Sequence, residues 1–269
     1  SKFFDLAKNN DPFYLFAPHT VEREYGQSLD DMNLDEMYDE LVANDKVKKR
    51  EMDAREMLNT IAQTQLQSGY PYIMFKDNAN KVHPLKDIGQ IKISNLCTEI
   101  FQLQETSTIN DYGTDDEIRR DISCNLGSLN IANVMESGKV RDSVHDGIEA
   151  LTVVSDDTAI ANAPGVKKAN DELHSVGLGA MNLHGYLAKN KISYESEEAR
   201  DFANVFFMLL NFYSLEKSML IAKERGETFK DFDKSEYATG KYFERYISEA
   251  VEPKSEKVAG LFSNIHIPS

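Results

Sequence analysis

The chain has 269 residues and a formal net charge of −15. A surface this acidic repels a phosphate backbone, so no nucleic-acid partner is expected, while a small phosphorylated substrate in a local basic or helix-terminal pocket remains compatible with it. Hydrophobic residues make up 41%, enough for a sizeable core, and two cysteines exclude a disulfide framework and point to a reducing compartment. The most apolar run, residues 202–215, is followed by Glu216 and Lys217. It falls short of the roughly 20 residues of a bilayer span, so a soluble, cytoplasmic protein without a membrane partner is expected.

Residues 1–29 carry aromatics between turn residues, and Pro12 and Pro18 argue against a central strand there. From Ser28 the pattern turns helical, with Met32, Met37, Leu41 and Val42 at helical separations. The basic run 46–50 reads as a solvated linker between two helices. The second helix starts near the N-cap Asp53, turns Met57, Leu58, Ile61 and Leu66 inward and stops at Gly69. Residues 70–75 read as a short strand and 76–80 as a turn, with His83 a surface residue in a loop. The polar segment 104–120 is a loop or a short helix start. Residues 122–132 begin extended and lose their period at Gly127. From Ser143 the chain is mainly helical: Ile148, Leu151, Val154 and Ile160 form one stripe ended by Pro164-Gly165. Helices follow over 166–188 and 195–224, the latter stopped by Gly226, and residues 229–261 are helical but more polar. Strands among helices favour a helix-rich α/β class. No repeat or linker divides the chain, so 1–269 is treated as one partial domain.

The run from His174 to Gly185 tempts one toward a phosphate loop, but its glycine pair falls inside a helical pattern rather than between a strand and a helix. His174 and His184 are ten apart, not the three or four that place two ligands on one helix face. Zinc, P-loop and serine-hydrolase sequences are absent, and no metal ligands are assigned.

Residues 93–101 hold Cys97 between Asn95 and Glu99. If this stretch is extended, Asn95, Cys97 and Glu99 project together while Leu96, Thr98 and Ile100 project oppositely. An amide, a thiol and a general base then share one face. The same residues suit a structural core cysteine between solvated neighbours, and both readings stand at this point. Cys124 follows 27 residues later, enough for a loop and a return strand that bring both thiols to one cleft.

Ser94-Asn95-Leu96-Cys97-Thr98-Glu99-Ile100, followed by Cys124-Asn125-Leu126-Gly127-Ser128-Leu129-Asn130, closely resembles the catalytic core of the ribonucleotide reductase large subunit. Residues 68–73 and 175–185 look like the same family. The resemblance is closest to the aerobic bacterial class Ib type. It implies part of a ten-stranded α/β barrel with the radical cysteine on a central finger loop. Cys97 would be the transient thiyl radical that takes the substrate's 3′ hydrogen, shielded in a water-poor barrel. Glu99 would be general base on the 3′ hydroxyl while the 2′ hydroxyl leaves as water. Asn95 would hold the ribose hydroxyls, with Leu96 and Thr98 completing the substrate-binding stretch. Cys124 would be half of a dithiol that supplies two electrons and ends as a disulfide.

The resemblance further implies a ribonucleoside diphosphate substrate, a small metal-containing radical-generating subunit and a thioredoxin- or glutaredoxin-like dithiol reductant. It also implies nucleotide effectors on the full subunit and a homodimer, with no cofactor bound by this chain. The second dithiol cysteine of the family lies upstream of the radical cysteine, and no cysteine precedes Cys97 here. The upstream effector region, the downstream phosphate loop and tyrosine relay, and the C-terminal redox cysteines are not recognised either. The expectation is the middle of a larger subunit, unable to turn over alone. Two alternatives are a cobalamin-dependent reductase core and a helical interaction module with two core cysteines.

Overall fold

The structure, a computed structural model, describes residues 2–110, 112–158, 160–247 and 252–268. They form two compact units, Ser1–Lys76 with Leu96–Thr98, and Asp77–Asn95 with Glu99–Ser269.

The first unit runs α1 (Lys2–Asn9), β1 (Pro12–Phe16), α2 (Pro18–Tyr25), α3 (Leu34–Ala43), β2 (Lys49–Asp53) and α4 (Ala54–Ser68). β1 and β2 pair antiparallel from Pro12↔Asp53 to Phe16↔Lys49. In a two-stranded sheet every strand is an edge, so Pro12 is tolerated as the first strand residue, and Pro18 opens α2 where its missing N–H costs nothing. The basic run is therefore not a solvated linker. Lys49 and Arg50 supply the partner that β1 requires, and Val47 is buried with Val21, Met32 and Leu41.

Asp53 caps α4 by accepting from the Glu56 N–H at 2.7 Å, and Gly69 ends it at φ +79°. The inward stripe expected of this helix does not form. Met57, Leu58 and Ile61 are half-buried and Leu66 is 89% exposed. α4 is anchored at its start instead, where Ala54 is buried and Arg55 donates to the Ala7 and Lys8 carbonyls at 2.7 and 2.9 Å. Residues 70–75 join no strand ladder, so the expected strand is absent; the segment begins with a cis Tyr70–Pro71 bond.

The second unit opens within α5 (Lys76–Val82), a helix where a turn was expected. Asn80 on this helix pairs with the backbone of Ile91 twice, both at 2.9 Å, which ties the helix to the backbone at Ile91. His83 is buried rather than on the surface, because Pro84 is tied to the Glu236 N–H at 2.8 Å.

β3 (Leu126–Asn130) then leads through α6 (Ile131–Ser137), α7 (Val140–Asp157) and α8 (Pro164–Leu173) to β4 (Gly177–Met181), which lies parallel to β3. A parallel pair needs such a helical crossover, which is the α/β arrangement. This replaces the single helix expected over 166–188. His174 ends α8 in the left-handed region, and the glycine pair lies in a strand. A Cβ on Gly177 would meet Leu126 Cδ2 at 2.5 Å, so glycine permits the close approach of β4 to β3. The same pairing moves the strand in 122–132 onto Leu126–Asn130, across Gly127. On α7, Ile148 and Leu151 are buried as expected; Val154 is exposed, and the helix ends before Ile160 reaches the stripe.

α9 (Leu183–Lys189), α10 (Glu197–Arg225), α11 (Glu236–Thr239), α12 (Lys241–Ile247) and α13 (Glu256–Leu261) complete the unit. Phe202, Phe206 and Leu209 of α10 are fully buried and share one core with Val140, Val144 and Ile148 of α7. Each such side chain contributes roughly 1.5–3 kcal/mol. Ser196 caps the start of α10 and Gly226 its end. At 29 residues α10 is long and apolar enough to cross a membrane by length and composition, contrary to the reading of 202–215. Its first half carries the buried side chains of the core, Phe207, Phe212 and Met219 are exposed, and its polar residues form the ion pairs Glu216–Arg141 at 2.8 Å and Lys217–Glu149 at 2.7 Å.

Candidate active site

The stretch around Cys97 is a turn rather than a strand. Asn95 Oδ1 accepts from the Glu99 and Ile100 N–H groups at 3.1 and 3.0 Å, and Ser94 Oγ donates to the Ile100 carbonyl at 2.7 Å. Asparagine side chains favour such bonds to backbone a few residues on, and this competes with extended pairing. Thr98 takes φ +63° within the turn. Strand alternation therefore fails: Leu96 is 82% exposed, Cys97 is exposed, and Ile100 is buried. Enclosure of Cys97 away from water, implied by the resemblance, is not found among the described residues, because burial is confined to flanking positions such as Ile91, Ile100 and Leu103.

The turn nevertheless gathers chemistry. Asn95 Nδ2 donates to Glu99 Oε1 at 2.7 Å and to Cys124 Sγ at 3.5 Å. One amide thus bridges a carboxylate and a thiol, and its two hydrogens are both used. Cys97 lies midway along the turn that Asn95 and Glu99 bracket. Asn95 was expected to bind ribose hydroxyls; here its donors and acceptor serve the turn and its neighbours.

Cys124 stands in an extended segment whose alternation does hold. Ser123 and Asn125 are buried on one side and Cys124 is exposed on the other. The side chains that fix this segment were not singled out in the sequence. Gln102 pairs with the Ser123 backbone in both directions, accepting from its N–H at 3.0 Å and donating to its carbonyl at 2.8 Å. Asn125 Nδ2 donates to Ser123 Oγ at 2.9 Å, Asn170 Oδ1 at 2.8 Å and the Ser175 carbonyl at 3.3 Å. Ser123 Oγ donates in turn to Asn170 Oδ1. The Ser-Cys-Asn alternation was a usable local signal for Ser123 and Asn125; Gln102 and Asn170 left none.

Both cysteines are exposed free thiols, so they are not the core residues of an interaction module. Among the described residues no three His, Cys, Asp or Glu side chains gather to hold a metal ion. His174 and His184 are engaged separately, with Asp156 at 4.0 Å and with the Tyr194 ring at 5.7 Å.

The chain thus presents two exposed thiols, Cys97 on a turn and Cys124 linked to Glu99 through the Asn95 amide. Residues 1–266 match the family model for the ribonucleotide reductase barrel domain, and the chain belongs to that family. It is 53% identical over 268 residues to the ribonucleoside-diphosphate reductase subunit alpha of Bacillus subtilis (strain 168), covering 100% of this chain and 38% of that protein. The subunit alpha of the same name from Mycoplasma genitalium is 44% identical over 268 residues, covering 98% of this chain and 37% of that protein. That of Mycoplasma pneumoniae is 43% identical over 270 residues, with 98% and 37% covered. The chain thus spans less than two fifths of these relatives. Family membership makes the fold an α/β barrel, to which the described residues contribute the parallel β3–β4 pair, its helical crossover and the surrounding helices.

Proposed function

We propose that this chain carries the catalytic core of a class Ib ribonucleoside-diphosphate reductase, which makes 2′-deoxyribonucleotides for DNA synthesis. Both compact units belong to one partial barrel domain in this reading. The observation that carries it is the Asn95 amide, which joins Glu99 Oε1 and Cys124 Sγ while the turn between Asn95 and Glu99 holds Cys97.

The Cys97 thiyl takes the 3′ hydrogen atom of the ribose and returns it at the end of the cycle. Glu99 receives the 3′ hydroxyl proton, which eases loss of the 2′ hydroxyl as water. Asn95 holds Glu99 and Cys124 in place, and exchanges these partners for the ribose hydroxyls when substrate enters. Two electrons and two protons come from a dithiol of which Cys124 is one thiol; it ends as a disulfide and an external dithiol restores it. The radical comes from a metal-containing partner subunit, so this chain binds no cofactor itself. The complete subunit is cytoplasmic, forms a homodimer and responds to nucleotide effectors. Its reductant is a thioredoxin- or glutaredoxin-like protein.

The test is deoxyribonucleotide formation by the complete subunit, wild type beside Glu99→Gln. The expected result is turnover that requires the radical subunit and falls by roughly 100-fold or more in the variant, the usual scale for a general base. Turnover sustained by adenosylcobalamin in place of the radical subunit, or a fully active variant, contradicts the reading.

A further inference from the structure

We propose that Asn170 and Gln102 are positioning residues for the Cys124 thiol, and that their grip on its two neighbours sets how readily Cys124 closes its disulfide. The inference rests on the reading of Cys124 as half of the reducing dithiol.

The geometry is asymmetric about one residue. Ser123 and Asn125 are 2% and 6% exposed, and Asn170, reaching in from α8, is 2% exposed, whereas Cys124 between them faces out. Asn170 Oδ1 accepts from Asn125 Nδ2 and from Ser123 Oγ, so a single oxygen ties together the residues before and after the thiol. Gln102 adds a second hold through the Ser123 backbone, and the Asn125 carbonyl accepts from the Gly177 N–H of β4 at 2.8 Å. In extended backbone, pinning residues i−1 and i+1 on one face fixes where residue i points on the other. Here it points at Asn95 Nδ2, 3.5 Å from Cys124 Sγ. Neither Asn170 nor Gln102 contacts that sulfur; both act through the segment that carries it.

Disulfide closure depends on the effective concentration of one thiol at the other, which a fixed segment raises and a loosened one lowers. Forming the S–S bond releases two electrons and two protons to the substrate, and an external dithiol reverses the step. Loosening the hold therefore disfavours the disulfide relative to the dithiol. A purely structural role lowers stability without moving this balance.

The experiment uses the complete subunit with its radical partner. The Cys124 disulfide is equilibrated against dithiothreitol buffers and followed by mass-tagging of the thiols. Asn170→Ala and Gln102→Ala are each expected to make the disulfide about tenfold easier to reduce, a shift near 30 mV. The substrate KM stays within about twofold because neither residue is placed against substrate. Asn170→Asp, which keeps the accepting oxygen, is expected to bring the balance most of the way back to wild type. Unchanged balances in both folded alanine variants overturn the inference, as does an Asn170→Asp variant no better than alanine. Cys124→Ser separates the two layers. If that variant turns over with external dithiol, the dithiol reading itself fails; if it is inactive while the alanine balances are unmoved, the positioning claim alone fails.

Discussion

The two thiols of this chain are both exposed, yet they are held by opposite means. Cys97 sits on a turn shaped by one side chain, Asn95, between Leu96, which is 82% exposed, and Thr98 at φ +63°. Cys124 sits between two buried residues whose polar atoms close on Asn170 and Gln102. A surface turn of this kind opens at small cost, whereas a buried polar network resists opening because each lost partner leaves a desolvated group behind. On the proposed reading the thiol that trades a hydrogen atom every cycle rides on the pliable support. The thiol that must meet a second sulfur rides on the rigid one. Exposure alone does not distinguish them; the neighbours do.

The difference is broken most severely at Asn125. Asn125→Leu removes the donor shared by Ser123, Asn170 and Ser175 and leaves the Asn170 acceptor buried without its amide partner. A loss of about 2–3 kcal/mol is expected in denaturant unfolding, the scale of a buried polar network that loses its shared donor. The matching change on the other support, Asn95→Ala, is expected to cost only about 1 kcal/mol, because its partners can turn to water. Turnover of the complete subunit should nevertheless fall roughly 100-fold as Glu99 and Cys124 lose their common bridge. If Asn95→Ala proves the more destabilising, the contrast between the supports is wrong.

Thr98→Gly sharpens the comparison from the other direction. A β-branched residue at positive φ is strained, and glycine is not, so the substitution is expected to stabilise by up to about 1 kcal/mol or be neutral. A clear loss of stability indicates that the turn is not left-handed at this position.

The smallest effect separates fold from site. Burial lowers the His83 pKa below the ordinary value of 6.5, and Lys86 adds to the shift. Below 6.5 the unfolded chain therefore takes up a proton at His83 that the folded chain refuses. Stability should decline as pH falls from that value through the folded pKa. His83→Gln should flatten this slope in pH-dependent unfolding while leaving both cysteine supports as they are.

What the sequence disclosed was mostly short-range chemistry. Asp53, Gly69 and Gly226 marked helix ends because capping is decided within one turn of chain, and the apolar period of α10 marked the core helix. Cys97, Glu99, Asn95 and Cys124 were singled out through their resemblance to a known core. Their arrangement was not. Asn95 was read as one tooth of a strand, although an asparagine can fold its amide back on the following backbone, and it does. Gly177 and Gly179 read as part of a helical pattern, because a glycine says that something comes close without saying what; here it is β3. Asn170 lies 45 residues from Asn125, and no local pattern announces a hydrogen bond over that distance.

The central claim is that Cys97 is the radical thiol. The most direct measurement is deoxyribonucleotide formation by the complete subunit with its radical partner and a dithiol reductant, wild type beside Cys97→Ser. The account predicts a wild type that turns over and a variant that is folded, with unchanged thermal unfolding, and without activity. A Cys97→Ser subunit that still makes deoxyribonucleotides contradicts it.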